Sequence, residues 1–472
     1  MEKEQKLVKD TLTYMVANFG AKILILVIYP VYTYYVIPEI LGVYDLIIST
    51  LTLFYPIIVF SINDAVFRWL LDYNDQKQSE IVSIGLKITL RNILIVDCAY
   101  IAVNLFLDIK YGWLVLAIVN FGSLYPVLQQ IARGLRKNKV FAISGLLYAV
   151  ALVLFNIFFV FLCSWGVDGL LFSQALAYLV SIIFLILSID KLHTRWWKVS
   201  VSKDIEVSMT KYSLMLIPNS CCWWIMNTSD RYLIRFFIGN AANGIYAISH
   251  KFPSVMNMIT SVFTLAWQEQ AITEYSSEER DIYYSKIYRI YYLLLFSVCL
   301  VLLPITKWFV ILGVQSDYVS AWNYSAALYL GSVFLALSSF LGTGYLSAKK
   351  TKGSMIKSIV GAVINIVVEL ILLPIIGLEA AAISTLFGNI SIWASRWIQV
   401  KKYFSINVRW GEFLFLTIIN IFVGMIIRKT NFFVDIVILL LSFIGAILLN
   451  RGLLSNILVV LKIKKTYKGH FT

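Results

Sequence analysis

Residues 228–270 read TSDRYLIRFFIGNAANGIYAISHKFPSVMNMITSVFTLAWQEQ, and this stretch decides the fold class. It is apolar enough for membrane helices, yet it contains five ionisable residues: Asp230, Arg231, Arg235, His250 and Lys251. An ionisable side chain in the hydrocarbon core costs at least about 2.5–3.5 kcal/mol, so such residues usually face a water-filled cavity or a charged partner. Four of the five are cations or can become cations. The stretch therefore predicts a membrane protein with an internal anion site, and it favours transport over catalysis.

The whole chain has the composition of a polytopic membrane protein. Of its 472 residues 60% are hydrophobic and 14% are charged, and the mean hydropathy is +0.80. A soluble domain with so few charges would expose large apolar patches and aggregate. The five cysteines all lie in apolar segments and match neither a metal-binding spacing nor a disulfide framework.

Apolar runs long enough to cross a bilayer recur along the chain and predict an all-α fold with about 14 transmembrane helices. The predicted spans are 11–37, 41–70, 81–107, 111–135, 140–163, 168–189, 208–238, 241–268, 287–312, 320–347, 354–376, 379–400, 411–428 and 432–450. The N-terminal MEKEQKLVKD has mixed charge and precedes an overlong apolar run, so we interpret 11–37 as a membrane helix and not as a cleaved signal.

The cations fix a predicted orientation. Thirty-one of the forty Lys and Arg fall in even-to-odd connections or in the termini, and five fall in odd-to-even connections. This asymmetry predicts that both termini are cytoplasmic and that the number of helices is even. The net charge of +14 is then an orientation signal, and no nucleic-acid partner is expected. Four cations cannot be assigned to a connection or to a helix end: Lys22, Arg68, Arg231 and Lys251.

An internal repeat with an offset of about two hundred residues predicts the domain organisation. LGVYDLIISTLTLFYP at 41–56 is similar to NGIYAISHKFPSVMN at 243–257, and GVDGLLFSQALA at 166–177 is similar to GLEAAAISTLFG at 377–388. Two parallel six-helix lobes favour alternating access around a site near the membrane midplane. The predicted divisions are an N-terminal lobe, a C-terminal lobe and two extra helices with a basic cytoplasmic tail: 1–206, 207–402 and 403–472.

Lys22, Arg231 and Lys251 are the predicted anion-binding residues, because the repeat places their helices on opposite lobes of one central cavity. Arginine offers bidentate geometry to phosphate or carboxylate, and lysine offers a point charge. Arg68 is an accessory candidate, although pairing with Asp64 one turn earlier, or extension to the interface, is the favoured interpretation. Asp230 is expected to be a counter-ion of Arg231.

Two carboxylates deep in apolar helices, Asp97 and Glu369, are candidates for ion coupling, with neutralised or protonated packing roles as an equal alternative. Trp223 and Trp224 lie near the predicted cavity, where their rings could stack on sugars. The chain lacks a phosphate-binding loop, an H-E-x-x-H pair and a Cys/His metal spacing. We therefore expect no enzyme, no metal site and no cofactor, apart from a coupling proton or sodium ion.

Two segments carry a resemblance to the polysaccharide transporter family of the MOP superfamily: SDRYLIRFFIGNAANGIYAISHKFP at 229–253 and AWQEQA at 266–271. The resemblance implies a flippase of the bacterial cytoplasmic membrane that moves undecaprenyl-diphosphate-linked oligosaccharide outward for O-antigen, capsule or exopolysaccharide synthesis. It implies a cationic cavity at Lys22, Arg231 and Lys251, ion-coupled transport, and contacts with membrane lipids. A polysaccharide polymerase and a chain-length regulator are possible protein partners.

Two alternatives stay open. A multidrug and toxic-compound extrusion carrier of the same superfamily would share the twelve-helix core, but it usually has acidic cavity residues for cationic drugs. A membrane polysaccharide polymerase is less favoured, because the predicted outer connections are all short.

Overall fold

The computed structural model describes residues 32–73, 75–107, 109–193, 196–347 and 351–452. Within these ranges every regular element is a helix, which confirms the predicted all-α class. The helices form two units. Unit 1 comprises the described residues up to Tyr232 together with Asn240–Gly244, and unit 2 comprises Leu233–Gly239 and the described residues from Ile245 onward. The predicted division into lobes at residues 206 and 402 stays a prediction.

Ten α-helices cover the described residues from the start to Ser249. They are α1 (Pro38–Ile58), α2 (Ile62–Asp72), α3 (Asp75–Asn104), α4 (Gly112–Gly134), α5 (Asn138–Asn156), α6 (Gly166–Ser188), α7 (Asp190–His193), α8 (Lys203–Leu214), α9 (Ile217–Phe237) and α10 (Asn240–Ser249). A π-helical turn, Ile157–Leu162, extends α5, and a short 3₁₀ helix spans Trp196–Lys198.

Seven further α-helices follow. They are α11 (Pro253–Thr273), α12 (Arg280–Gly313), α13 (Ser325–Ser347), α14 (Thr351–Ile376), α15 (Glu379–Val400), α16 (Trp410–Ile426) and α17 (Phe432–Leu449). Two 3₁₀ helices, Glu274–Ser276 and Ser316–Tyr324, complete the described elements.

Membrane-spanning capacity is widespread in the described helices. Eight of them are long and apolar enough to cross a bilayer. Ten of the fourteen predicted spans each coincide with one described helical segment. The spans 41–70, 208–238 and 241–268 are each divided between two helices, and the first, 11–37, falls mostly outside the described residues. The polytopic helical fold predicted from hydropathy is therefore confirmed.

The predicted span 41–70 is wrong as one continuous helix, because the chain breaks between α1 and α2. Phe60 and Ser61 have φ angles of 54° and 50°, a left-handed backbone that no α-helix can continue through. The break frees backbone groups inside an apolar region. Asn92, buried on α3, donates from Nδ2 to the Ile58 carbonyl at 2.8 Å and satisfies one of them.

The predicted span 241–268 is also two helices, since α10 ends at Ser249 and α11 begins at Pro253. Proline lacks a backbone N–H and its ring clashes with the carbonyl four residues earlier, so it suits the first position of a helix and not the interior. The break leaves His250, Lys251 and Phe252 outside both helices. One of the predicted anion-binding residues therefore lies at a helix interruption.

Candidate functional site

Arg231 on α9 lies in a buried ion cluster within unit 1. Its Nε lies 2.6 Å from Asp45 Oδ2 on α1, and its Nη1 lies 3.5 Å from Asp230 Oδ1. Nη1 also donates to the Asn227 carbonyl at 2.9 Å. The Arg231 side chain is only 11% exposed, and those of Asp45 and Asp230 are 14% and 5% exposed. A buried guanidinium needs such partners, because an unpaired charge in the interior costs several kcal/mol.

Two further polar contacts join the same pair of helices. Trp224 Nε1 on α9 donates to the Ser49 carbonyl on α1 at 2.7 Å. The hydroxyls of Tyr232 and Thr50 share a short hydrogen bond. Because residues three and four apart share one helix face, Asp45 and Ser49 present the same side of α1 to α9. The site is thus built on a row of polar contacts and not on the ion pair alone.

Close backbone packing lies beside this row. A Cβ added at Gly42 would lie 1.9 Å from the Asn240 carbonyl oxygen, and one added at Gly244 would lie 1.9 Å from the Pro38 carbonyl oxygen. Asn243, fully buried on α10, donates from Nδ2 to the Gly42 carbonyl at 2.9 Å. Glycine is therefore required at both positions for α1 and α10 to meet this closely.

The other sequence-predicted residues of unit 1 lie in different settings. Trp223 is 39% exposed, whereas its neighbour Trp224 is held by the hydrogen bond to α1. Asp97 on α3 is half-buried and accepts from Asn120 Nδ2 at 3.0 Å.

Arg68 is exposed, and it contacts Asp72 at 3.3 Å in place of the expected Asp64. Both residues of that pair lie on α2, so the contact is a surface i,i+4 pair.

Lys251 belongs to unit 2 and is half-buried at the interruption between α10 and α11. Its backbone N–H donates to the Ile248 carbonyl at 3.0 Å, and its own carbonyl accepts from Ser254 Oγ at 2.5 Å. Ser249 Oγ fixes the end of α10 by donating to the Ala321 carbonyl at 2.9 Å. The lysine therefore projects from a backbone break with defined ends. Interrupted membrane helices are a recurring way to build substrate and ion sites.

Glu369 is fully buried in α14 of unit 2. Asn365, one turn earlier, places its Nδ2 3.5 Å from both Ser384 Oγ and Thr385 Oγ1 on α15. Two glycines, Gly361 and Gly388, bring α14 and α15 close together at this level. Sequence reasoning placed this carboxylate deep in an apolar helix, and the structure has it there.

Sequence reasoning missed two buried cations of unit 2. Lys307 was assigned to an outer connection, yet it is 4% exposed on α12 and pairs with Asp435 of α17 at 2.7 Å. Arg396 was assigned to a cytoplasmic connection, yet it is 6% exposed and donates to the Ser338 carbonyl at 2.8 Å and to Ser358 Oγ at 3.0 Å. Both are held by acceptors within their own unit, which indicates structural roles.

Two carboxylates of unit 1, those of Asp45 and Asp230, contact the Arg231 guanidinium. The predicted surplus of positive charge depends on Lys22, which lies outside the described residues. Convergence of Lys22, Arg231 and Lys251 on one cavity stays a prediction. Among the described residues no group of three or more His, Cys, Asp or Glu is placed to hold a metal ion.

Comparison with known proteins assigns this architecture. The structure of the lipid II flippase MurJ in an inward closed conformation matches with a TM-score of 0.64 and 17% identity, over 94% of this chain and 100% of that one. The structure of an inward-facing multidrug resistance MATE family transporter of the MOP superfamily matches with a TM-score of 0.57 and 14% identity, over 84% of this chain and 94% of that one. A structure of MATE in complex with MaL6 matches with a TM-score of 0.59 and 13% identity, over 84% of this chain and 95% of that one. No curated protein matches the chain.

The chain has a multi-pass helical membrane fold, which it shares with a lipid II flippase and with MATE transporters. A family model described as polysaccharide biosynthesis protein matches residues 7–268, which is more than half of the chain. The chain belongs to that family.

Proposed function

We propose that this transporter moves undecaprenyl-diphosphate-linked oligosaccharide units from the cytoplasmic to the outer leaflet of a bacterial cytoplasmic membrane by alternating access. The units would serve O-antigen, capsule or exopolysaccharide synthesis. One observation carries the proposal: a guanidinium, that of Arg231, is buried among membrane helices and held by carboxylates on two sides. The family and the structural likeness to a lipid II flippase support a lipid-linked glycan as cargo.

The Arg231–Asp45 pair suggests how an anionic cargo would bind. Two oxygens of a diphosphate can accept a pair of hydrogen bonds from arginine, as the two oxygens of a carboxylate can, so a diphosphate can replace Asp45 without leaving the guanidinium without an acceptor. Exchange of one acceptor for another avoids the cost of an unpaired buried charge. Lys22 and Lys251 would supply further positive charge to the cargo.

Ion coupling and partners complete the proposal. Asp97 and Glu369 are the proposed coupling residues for a proton or a sodium ion, since a carboxylate inside a membrane helix is a common element of ion relays. Trp223 and Arg68 would serve as accessory contacts to the sugar or the phosphate. A polysaccharide polymerase and a chain-length regulator are proposed as protein partners on the export route.

One observation favours multidrug extrusion as the second candidate function. Two carboxylates, those of Asp45 and Asp230, contact the Arg231 guanidinium, and carboxylates suit a cationic drug. The structural likeness to MATE transporters fits the same possibility. Resistance of expressing cells to cationic dyes and drugs distinguishes the two functions, because a glycan flippase leaves drug sensitivity unchanged.

Oligosaccharide export in a strain that lacks the chromosomal gene tests whether the protein is a flippase. Such cells should accumulate complete lipid-linked oligosaccharide on the inner face, and the plasmid-borne protein should clear it. Arg231→Gln should reduce clearance by about 10- to 100-fold, which corresponds to the loss of one charge-assisted hydrogen bond worth about 1.5–3 kcal/mol. Accumulation of single repeat units on the outer face would instead indicate a polymerase.

A double variant separates cargo binding from structural pairing. Asp45→Asn with Arg231→Gln removes the buried pair as a unit, so a purely structural pair predicts recovery of export. The proposal expects the double variant to remain as inactive as Arg231→Gln at equal membrane abundance. The matched control is Lys137→Gln with Asp190→Asn, a pair 2.5 Å apart in the same unit whose carboxylate is 83% exposed. The control should export normally, and normal export by Arg231→Gln would refute the site.

A further inference from the structure

An aromatic groove lies on unit 2, apart from all the residues discussed above. It runs between α13, α15 and α16 and encloses about 380 Å³. Its walls include Phe334, Trp393, Trp397, Trp410, Phe413 and Leu414. This volume is within the range of about 300–1,000 Å³ that holds small ligands in proteins.

Ring contacts define the shape of the groove. Trp393 stacks on Phe413 with centroids 5.4 Å apart and planes 9° apart. Trp397 meets Trp410 edge to face at 5.3 Å. Trp393 is fixed further, because its Nε1 donates to Tyr288 Oη on α12 at 2.8 Å. The walls therefore consist of interlocked rings that form a groove in advance of any ligand.

The rim of the groove is open to the surroundings of the protein. Ile398 is 72% exposed, Leu414 is 53% exposed and Trp410 is 43% exposed. In a chain that crosses the membrane several times, large apolar side chains with this exposure face lipid and not water. An acyl chain is the natural occupant of such a groove in the bilayer.

One end of the groove is cationic. Trp397 also lines a second cavity of about 120 Å³ together with Val400, Lys401, Ser405 and Ile406. The following loop, residues 401–409, reads KKYFSINVR and holds three exposed cations and no acidic residue. The nearest acid along the chain, Glu412, is already engaged by Arg289 through contacts of 3.0 and 3.1 Å. The polar end thus presents unbalanced positive charge beside an apolar slot.

We propose that this groove and the cavity at Lys401 form a binding site for an anionic phospholipid of the bilayer. One acyl chain would lie along the tryptophan wall, and the phosphate headgroup would contact Lys401 and Lys402. Lysine and arginine side chains near an anionic membrane surface are attracted to it, and tryptophan prefers the interfacial depth at which headgroup and chain meet. The charge distribution selects an anionic lipid over a zwitterionic one.

The test uses the full-length protein purified in a neutral detergent, with phosphatidylglycerol or phosphatidylcholine added to the micelles. Native mass spectrometry should show a retained phosphatidylglycerol adduct at a lipid concentration where phosphatidylcholine gives at least about fivefold less. Lys401→Gln with Lys402→Gln should remove this preference. The matched control, Lys203→Gln with Lys211→Gln, removes two exposed lysines from α8 and should keep it.

A second variant tests the apolar half. Ala394 also lines the groove, and Ala394→Trp should fill it and lower the amount of bound phosphatidylglycerol while the protein stays monodisperse. Equal retention of the two lipids by the unmodified protein would overturn the proposal. So would a preference that survives the Lys401 and Lys402 replacements, release of the bound lipid by undecaprenyl phosphate alone, or a dimer of the chain that Ala394→Trp dissociates.

Discussion

Glu369 is the one acidic residue of α14, and it is fully buried. An ionised carboxylate is strongly disfavoured in such surroundings, so the group gains stability by holding a proton or by pairing with a cation. If it is a proton carrier, Glu369→Gln keeps the size and the hydrogen-bonding capacity but cannot exchange a proton. We expect this variant to fold normally and to lose at least about tenfold in gradient-driven export.

The measurement is export in energised cells, with and without an uncoupler. Glu39→Gln is the matched control, because Glu39 is an exposed glutamate in the first turn of α1. Export by Glu369→Gln that equals wild type and still responds to the uncoupler would assign this carboxylate to packing.

The contact between α1 and α10 depends on Gly42, since a methyl group there overlaps the Asn240 carbonyl oxygen. Overpacking of this kind costs about 1–3 kcal/mol. We expect Gly42→Ala to disfavour the conformation in which these helices touch. Disulfide cross-linking between cysteines introduced at Pro38 and Asn240 should fall in the variant.

Gly145→Ala provides the comparison, because its added Cβ would meet only Gln129 Nε2, at 3.9 Å. This variant should cross-link like the parent protein. Equal cross-linking by the Gly42 and Gly145 variants would show that the absence of a side chain at Gly42 does not determine whether α1 and α10 touch.

The buried ion pair of Lys307 and Asp435 links the helical hairpin of α16 and α17 to α12. Lys307 Nζ donates to the carbonyls of Ile427 and Thr430, each at 2.8 Å, and Trp308 Nε1 donates to Asp435 Oδ2 at 2.9 Å. Asp435→Asn would leave a buried ammonium without its counter-charge, which costs about 3–5 kcal/mol. We expect faster amide hydrogen exchange in the connection between α16 and α17, and a lower midpoint of thermal unfolding.

A half-exposed pair near the same connection shows the contrast. Arg428 contacts Glu379 at 2.6 Å, with both side chains about one-third exposed. Glu379→Gln should change stability by only about 0–1 kcal/mol, as is usual for surface ion pairs. Similar exchange rates in the two variants would argue against the buried pair as the fastening point.

Hydropathy was sufficient to predict the helices but not their interruptions. A window of about 19 residues averages over the sequence VFSIND, so it cannot detect the left-handed Phe60 and Ser61 that separate α1 from α2. Pro253 is a recognisable signal in the sequence, and the chain begins a new helix at this residue. The difference lies in tertiary contacts such as Asn92 to Ile58, which a local pattern does not contain.

The candidate site was predictable only in part, for the same reason. A cation in an apolar run pointed to Arg231, and the structure buries it. Its partner Asp45 lies 186 residues away, and no spacing rule joins the two. Counting cations by connection also failed for Lys307 and Arg396, because the rule assumes that a cation near a helix end reaches water. Lys307 and Arg396 instead donate to buried acceptors, so neither side chain extends to water.

The cation asymmetry across the whole chain leads to a prediction about orientation that the fold leaves open. Connections on one predicted side carry most of the Lys and Arg, so the loop 401–409 should face the cytoplasm and the connection at Lys429 should face outward. Ser405 and Lys429 are both exposed and suit cysteine substitution. The native cysteines should label weakly, because all five lie in apolar segments.

A membrane-impermeant maleimide applied to intact cells should label Lys429→Cys and spare Ser405→Cys until the membrane is permeabilised. The unmodified protein sets the background. The reverse pattern would invert the topology and would place the basic end of the aromatic groove in the outer leaflet. Labelling of both positions in intact cells would place them on the same side of the membrane, which requires an even number of crossings between them and contradicts a single crossing by α16. The expected pattern places Lys401 and Lys402 in the leaflet where anionic lipids attract basic segments most strongly.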